Sequence, residues 1–256
     1  MHTKAEKLEA FSKLLEIMDD LREKCPWDKK QNLQSLRPLT IEETYELSDA
    51  ILKEDLQEIK KEIGDVLLHL VFYSKIGSEK QSFDIADVIN SLNEKLIFRH
   101  PHIYGDTKAE DEETVKKNWE KLKLKEGNKS ILAGVPNGLP PMIKAFRIQD
   151  KVKSIGFDFP NTEEAWKKVN EELEEFSTEK DFAKKEIEFG DLLFSLINYS
   201  RILKINADTA LEKTNQKFIE RFKILESLAE KRELTLGEIS LEAMDELWEE
   251  AKKIQS

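Results

Sequence analysis

Five carboxylates in the second half of the chain have a spacing that could hold a divalent cation. Glu171, Glu172 and Glu175 crowd one side of a helix, since residues three and four apart share a face. Glu188 and Asp191 share a face in the same way. If the two helices pack antiparallel, as the short connection 176–187 favours, all five carboxylates project into one space. Two like charges ~4 Å apart repel by up to roughly 4 kcal/mol at a protein-surface dielectric, so the cluster calls for cations. All-oxygen ligands select Mg²⁺, Mn²⁺ or Ca²⁺.

An isolated Glu-Glu-x-x-Glu is more often a solvated helix face than a site. Here Glu188 and Asp191 interrupt an apolar segment beside Ile187, Phe189, Leu192 and Leu193. That pattern puts Asp191 near a core-facing seam, where an unpaired charge is costly and a metal would explain it. Gly64 and Gly190 each cost a helix about 1 kcal/mol relative to Ala. Close approach of a helix or substrate would explain them, and so would a tight helix crossing. Lys217 with Arg221, and Lys95 with Arg99, are i, i+4 pairs suited to phosphate oxygens. Lys168, Lys184 and Lys185 lie close in sequence to the carboxylates and could contact a polyphosphate, or simply pair with neighbouring glutamates. Trp248 could stack on a base or anchor a core.

The elements that must position these groups occur twice. Glu42-Glu-Thr-Tyr-Glu46 followed by Glu62-Ile-Gly-Asp65 repeats as Glu171-Glu-Leu-Glu-Glu175 followed by Glu188-Phe-Gly-Asp191. Glu43, Glu46, Glu62 and Asp65 are therefore candidate metal ligands of a first repeat. Asn93-x-Lys95-x-Ile-x-Arg99 is matched by Asn215-x-Lys217-x-Ile-x-Arg221, and Trp119 to Lys123 by Trp248 to Lys252. Trp27-Asp28 and Phe157-Asp158 precede the acidic motifs. Gly and Pro concentrate between Gly127 and Pro141, which reads as a linker. The expected organisation is a first repeat over 1–126, the linker 127–141 and a second repeat over 142–256; Lys60 and Lys61 stand in a different phase from Lys184 and Lys185, so the second is expected to be the principal catalytic repeat. Apolar residues recur at helical spacing, as in Leu8, Phe11, Leu14, Leu15, Met18 and Leu21, and no strand alternation of useful length appears, so the expected class is all-α.

Composition excludes several classes. The net charge of −11 argues against a duplex-binding surface, although local lysines and divalent cations can still reverse the field around a polyphosphate. Cys25 is the single cysteine, so no intramolecular disulfide forms. The first 25 residues do not resemble a signal peptide and no apolar run approaches the ~18 residues of a membrane span, which points to a cytoplasmic protein. There is neither a P-loop nor a Gly-x-Gly-x-x-Gly. His100-Pro-His102 is too close and isolated to read as a metal site, and Cys25 lacks an evident partner for nucleophilic catalysis.

Taken together, Glu-Glu-x-x-Glu, Glu-x-x-Asp and the downstream Asn-x-Lys-x-x-x-Arg resemble the MazG family of nucleoside triphosphate pyrophosphohydrolases, within the all-α pyrophosphohydrolase group. Leu14–Met18, Cys25-Pro-Trp-Asp28, Arg99-His-Pro-His102 and Gly156-Phe-Asp158 extend the resemblance along nearly the whole chain. It implies helical-bundle repeats, homodimerisation, and Mg²⁺-dependent cleavage of triphosphates between the α and β phosphates, with Mn²⁺ as a substitute. It also implies that Glu171, Glu172, Glu175, Glu188 and Asp191 hold the metal, and that Lys217, Arg221 and Trp248 contact the nucleotide. Glu171 or Glu172 would orient or deprotonate the attacking water. Alternatives are a narrower enzyme acting on dUTP or phosphoribosyl-ATP, and a non-enzymatic acidic helical module.

Overall fold

The computed structural model describes residues 1–105, 114–115 and 130–255, and among these it is all-α. The Trp119–Lys123 match and the start of the expected linker, residues 127–129, lie outside the described residues. The chain divides into two compact units, Met1–Lys108 and Ala109–Ser256.

In the first unit, α1 (Lys4–Lys24), α2 (Leu33–Leu52), α3 (Leu56–Glu79), α4 (Ile85–Arg99) and the short α5 (Pro101–Tyr104) follow one another. Local sequence sets their starts. Thr3, Asn32, Asp55 and Asp84 accept backbone N–H bonds at the N-termini of α1 to α4, satisfying donors that a helix end leaves unpaired. Glu54, with φ of 54°, turns the chain sharply enough to fold α2 and α3 into a hairpin. The core between α1, α2 and α3 is Met18, Leu36, Val71, Phe72 and Ile76, flanked by Phe11, Leu14 and Leu15. The α1 stripe is thus as expected, except that Leu8 is exposed.

The second unit contains α6 (Pro141–Lys153), α7 (Thr162–Thr178), α8 (Phe182–Ile202), α9 (Ala207–Lys231) and α10 (Leu241–Gln255). Asn161, Asp181 and Asn206 cap α7, α8 and α9. The turn between α7 and α8 is only residues 179–181, because most of the expected connection 176–187 is helical. α7 and α8 therefore form the hairpin that matches α2 and α3, with α6 laid against α8. Gly156, with φ of 87°, supplies the left-handed turn that leads from α6 to Phe157 and Asp158. α9 and α10 pair through Leu225, Ala229, Leu247 and Ala251. No helix among the described residues is long and apolar enough to cross a membrane.

Candidate active site

The α7–α8 hairpin brings the predicted carboxylates together. Oxygens of Glu172, Glu188 and Asp191 lie within 4.8 Å of one another, as do those of Glu171, Glu172 and Glu175, so Glu172 belongs to both groups. Glu172 is 6% exposed and sits at the centre. Lys168, one turn earlier on α7, donates to Glu171 at 2.7 Å and meets Glu172 at 2.6 Å. Those two bonds, to Glu171 and then Glu172, raise the Lys168 pKa and keep it charged. The Glu175 carboxyl is held above its ordinary range by loss of solvent around it, and next by the charges of Glu172 and Glu188. A surplus of negative charge therefore persists after Lys168 is counted, and this oxygen-only donor set fits a hard divalent cation.

The buried member is not the one expected. Asp191 is exposed and Glu172 is sunk, because Ile187, Phe189 and Leu193, whose apolar character suggested a core-facing seam at Asp191, are themselves exposed. Asp191 instead lines a cavity of about 440 Å³. Lys168 and Glu172 also border it, while Phe157, Phe159, Ala165 and Phe194 give it apolar walls. Beyond them stand Ser195, Asn198 and Arg201 of α8. Arg201 is buried and satisfied: it pairs with Asp158 and donates from Nε and Nη2 to Asn198 Oδ1 at 3.0 and 2.7 Å. One end of the cavity is thus acidic and the other is apolar with fixed polar groups, a shape suited to a ligand with a charged head and a flat body.

Asp158 belongs to the Phe157-Asp158 match noted in the sequence, whereas Gln149, Asn198 and Arg201 carry no signal there, because a polar residue in an amphipathic helix has no periodicity that marks it.

In the first unit, oxygens of Glu43, Glu62 and Asp65 lie within 4.8 Å of one another, whereas Glu46 is outside this triad. Glu62 is 3% exposed. Its Oε1 accepts from Lys61 at 2.8 Å, but its Oε2 is buried with no hydrogen-bond partner among the described residues, so the donor set fits a cation here too. The Glu43 pKa is raised by burial first, then by Asp65, Glu46 and Glu62. Beside the triad, Thr40 Oγ1 is 2.8 Å from His69 Nδ1 and 2.6 Å from Tyr73 Oη. Burial holds His69 below its ordinary pKa, opposed by the Asp65 charge.

Other predicted groups lie elsewhere. Lys184 and Lys185 are in the first turn of α8, with Lys185 Nζ 5.1 Å from the centre of the Phe176 ring. Lys217 and Arg221 are on α9, where Arg221 stacks on Trp248 at 5.1 Å and donates to Gln255 at 2.9 Å. Trp248 also meets Phe218 and packs on the α9–α10 core. None of these lines the cavity. Lys95 and Arg99 are on α4. A Cβ built on Gly64 or Gly190 would meet nothing within 4 Å among the described residues, so neither glycine serves a tight helix crossing there.

Residues 31–104 match the MazG nucleotide pyrophosphohydrolase domain. The chain is 46% identical over 247 residues to the nucleoside triphosphate pyrophosphohydrolase/pyrophosphatase MazG of Thermotoga maritima, covering 94% of this chain and 95% of that one. It is 38% identical over 255 residues to the nucleoside triphosphate pyrophosphohydrolase of Escherichia coli K12, covering 95% and 97%. The crystal structure of a mazG-related protein from Thermotoga maritima is similar at 28% identity, covering 44% of this chain and 98% of that one, with a TM-score of 0.40.

Proposed function

Since the chain belongs to the MazG family of nucleotide pyrophosphohydrolases, we propose that it hydrolyses nucleoside triphosphates to the monophosphate and pyrophosphate in a Mg²⁺-dependent reaction, chiefly in its second unit. The observation that carries this reading is that Glu172 and Asp191 of the Glu172–Glu188–Asp191 cluster also line a cavity of about 440 Å³, a volume suited to a nucleoside. Glu172, Glu175, Glu188 and Asp191 would hold the cation. When bound, it supplies Lewis acidity for a water and neutralises phosphate charge.

The protein's own groups do the rest. Lys168, kept charged by Glu171 and Glu172, binds phosphate oxygens at the cavity mouth. Glu171 is outside the Glu172–Glu188–Asp191 triad and exposed, so it can orient the attacking water and accept its proton. The apolar walls receive the nucleoside and exclude water from its base. Lys184, Lys185, Lys217 and Arg221 are assigned to the outer phosphates, with Trp248 beside Arg221, on the strength of the family resemblance. The first unit's Glu43, Glu62 and Asp65, with Glu46 nearby, form a second cation site, and Lys95 and Arg99 its weaker phosphate contacts. The protein works as a cytoplasmic homodimer. Support for the dimer is the exposed apolar face of α8, Phe189, Leu193 and Leu196, and that of α4, which buries no residue.

The test is turnover of canonical ribo- and deoxyribonucleoside triphosphates by the purified protein, with products resolved by ³¹P NMR. Monophosphate and pyrophosphate with Mg²⁺, and neither with chelator, are expected. Release of diphosphate and orthophosphate, or no turnover, would contradict the proposal.

A further inference from the structure

One residue of the cavity wall carries a polar atom with no partner among the described residues. Gln149 of α6 is 3% exposed and lines the cavity. Its Nε2 donates to the backbone carbonyl of Phe194 at 2.8 Å, but its Oε1 is buried with no hydrogen-bond partner among the described residues. A carbonyl can only accept, so the Phe194 bond fixes which end of the amide is which. Gln149 is therefore held as an acceptor and cannot present a donor by turning over. An unsatisfied buried acceptor is costly, which makes it a strong recogniser of whatever donor completes it.

The rest of the wall defines that donor. Phe157, Phe159, Ala165 and Phe194 suit a flat ring, and Asn198 Oδ1 is taken up by the Arg201 guanidinium, which leaves the Asn198 amide nitrogen as a donor. From these observations we infer that Gln149 is a specificity-determining residue that accepts a hydrogen bond from an N–H on the hydrogen-bonding edge of the nucleobase. The inference rests on the nucleoside occupying this cavity, as proposed above. Adenine and cytosine offer an exocyclic amine on that edge, guanine an amine and a ring N–H, and uracil and thymine a ring N–H. A single fixed acceptor accordingly admits every common base, and it rejects a base with no donor at all. Breadth of substrate and this one exclusion follow from the same atom.

The discriminating substrate is purine riboside triphosphate, which differs from ATP in lacking the exocyclic amine. The wild-type protein is expected to bind and turn over ATP better than this analogue by roughly ten-fold or more in Kd and kcat/KM, since the analogue leaves Oε1 unsatisfied. In Gln149→Met, of similar volume, the ratio should fall to about one, mainly through weaker ATP binding. The ratio is taken within one preparation, so it does not depend on the folded fraction. Equal affinity of the wild type for both triphosphates overturns the inference by itself, as does a ratio that Gln149→Met leaves unchanged. Calorimetric binding separates the two levels of the argument. A Gln149-dependent preference without pyrophosphate release supports base reading and rejects the hydrolase assignment. Pyrophosphate release with no such preference does the reverse.

Discussion

Leu36, His69 and Phe72 of the first unit stand at the repeat positions that Ala165, Ser195 and Asn198 occupy in the second, counted from the matched motifs. All three substitutions run from larger to smaller. Leu36 and Phe72 are buried in the first unit's core cluster, and His69 is tied to Thr40. Ala165, Ser195 and Asn198 line the 440 Å³ cavity. Where α1 buries Met18 in that same cluster, α6 buries Gln149 against Phe194. The cation beside the carboxylates differs too: Lys61 of α3 serves Glu62, whereas Lys168 of α7 serves Glu172. Both units thus keep an acidic triad, but different interiors surround it. Side-chain volume next to the triad separates a unit with room for a nucleoside from one packed for stability.

The largest expected effect comes from exchanging one of these volumes. Ala165→Leu gives the second unit the first unit's residue and should raise KM for every triphosphate by roughly ten-fold or more, because a leucine closes the space the nucleoside takes. Thermal unfolding should not suffer, since the added methyl groups enter a cavity. Leu36→Ala is the reverse experiment and should cost about 2–5 kcal/mol of stability with little change in KM. Steady-state kinetics and thermal melts on the two variants check both. A KM effect from Leu36→Ala as large as that from Ala165→Leu would erase the distinction between the units.

A smaller effect is expected at the paired glycines. Gly64→Ala and Gly190→Ala should each stabilise their helices by about 1 kcal/mol, as neither Cβ meets anything within 4 Å among the described residues. Activity should fall several-fold only for Gly190→Ala, whose methyl group is beside Asp191 of the principal site. Initial rates and melting midpoints decide it, and equal losses from both would mean that the two sites share the work.

The hairpins and the carboxylate clusters were legible in the sequence, because each depends on local spacing. Glu42 to Glu46 and Glu171 to Glu175 have to share a helix face, and Glu62 with Asp65 and Glu188 with Asp191 have to share another. What was not legible depends on three-dimensional packing. Asp191 looked buried because its neighbours are apolar, but Ile187, Phe189 and Leu193 face outward. Gln149 looked like an ordinary polar residue of an amphipathic helix. Only the approach of the Phe194 carbonyl shows that its amide is buried and fixed in orientation. Trp248, read as a base stacker or a core anchor, packs on α9–α10 beside Arg221.

The smallest effect concerns pH and is confined to the first unit. Arg22 of α1 holds Glu79 of α3 through bonds of 2.8 and 2.6 Å, and this hydrogen bonding keeps the Glu79 carboxyl below its ordinary pKa. A depressed carboxylate pKa contributes stability above the unfolded value of about 4.3, and that contribution disappears as pH falls through the lower folded value. Solvent around the pair keeps it under about 1 kcal/mol. Glu79→Gln should therefore flatten the acid side of the first unit's stability curve, read by hydrogen exchange of α3 amides, and leave α8 amides unchanged. An identical curve for the variant would mean the pair contributes nothing.

Matched acidic triads are proposed to do unequal work because the second adjoins the cavity that would take the nucleoside. The direct test compares full-length protein carrying Glu46→Ala with Asp65→Ala against full-length protein carrying Glu175→Ala with Asp191→Ala. Pyrophosphate release is measured at saturating Mg²⁺ and equal folded concentration. The second pair should remove activity by about a hundred-fold or more, on the scale of losing groups that stabilise transition-state charge, and the first pair should leave most of it. If the first pair removes most of the activity and the second little, the principal site lies in the first unit and the account of the cavity is wrong.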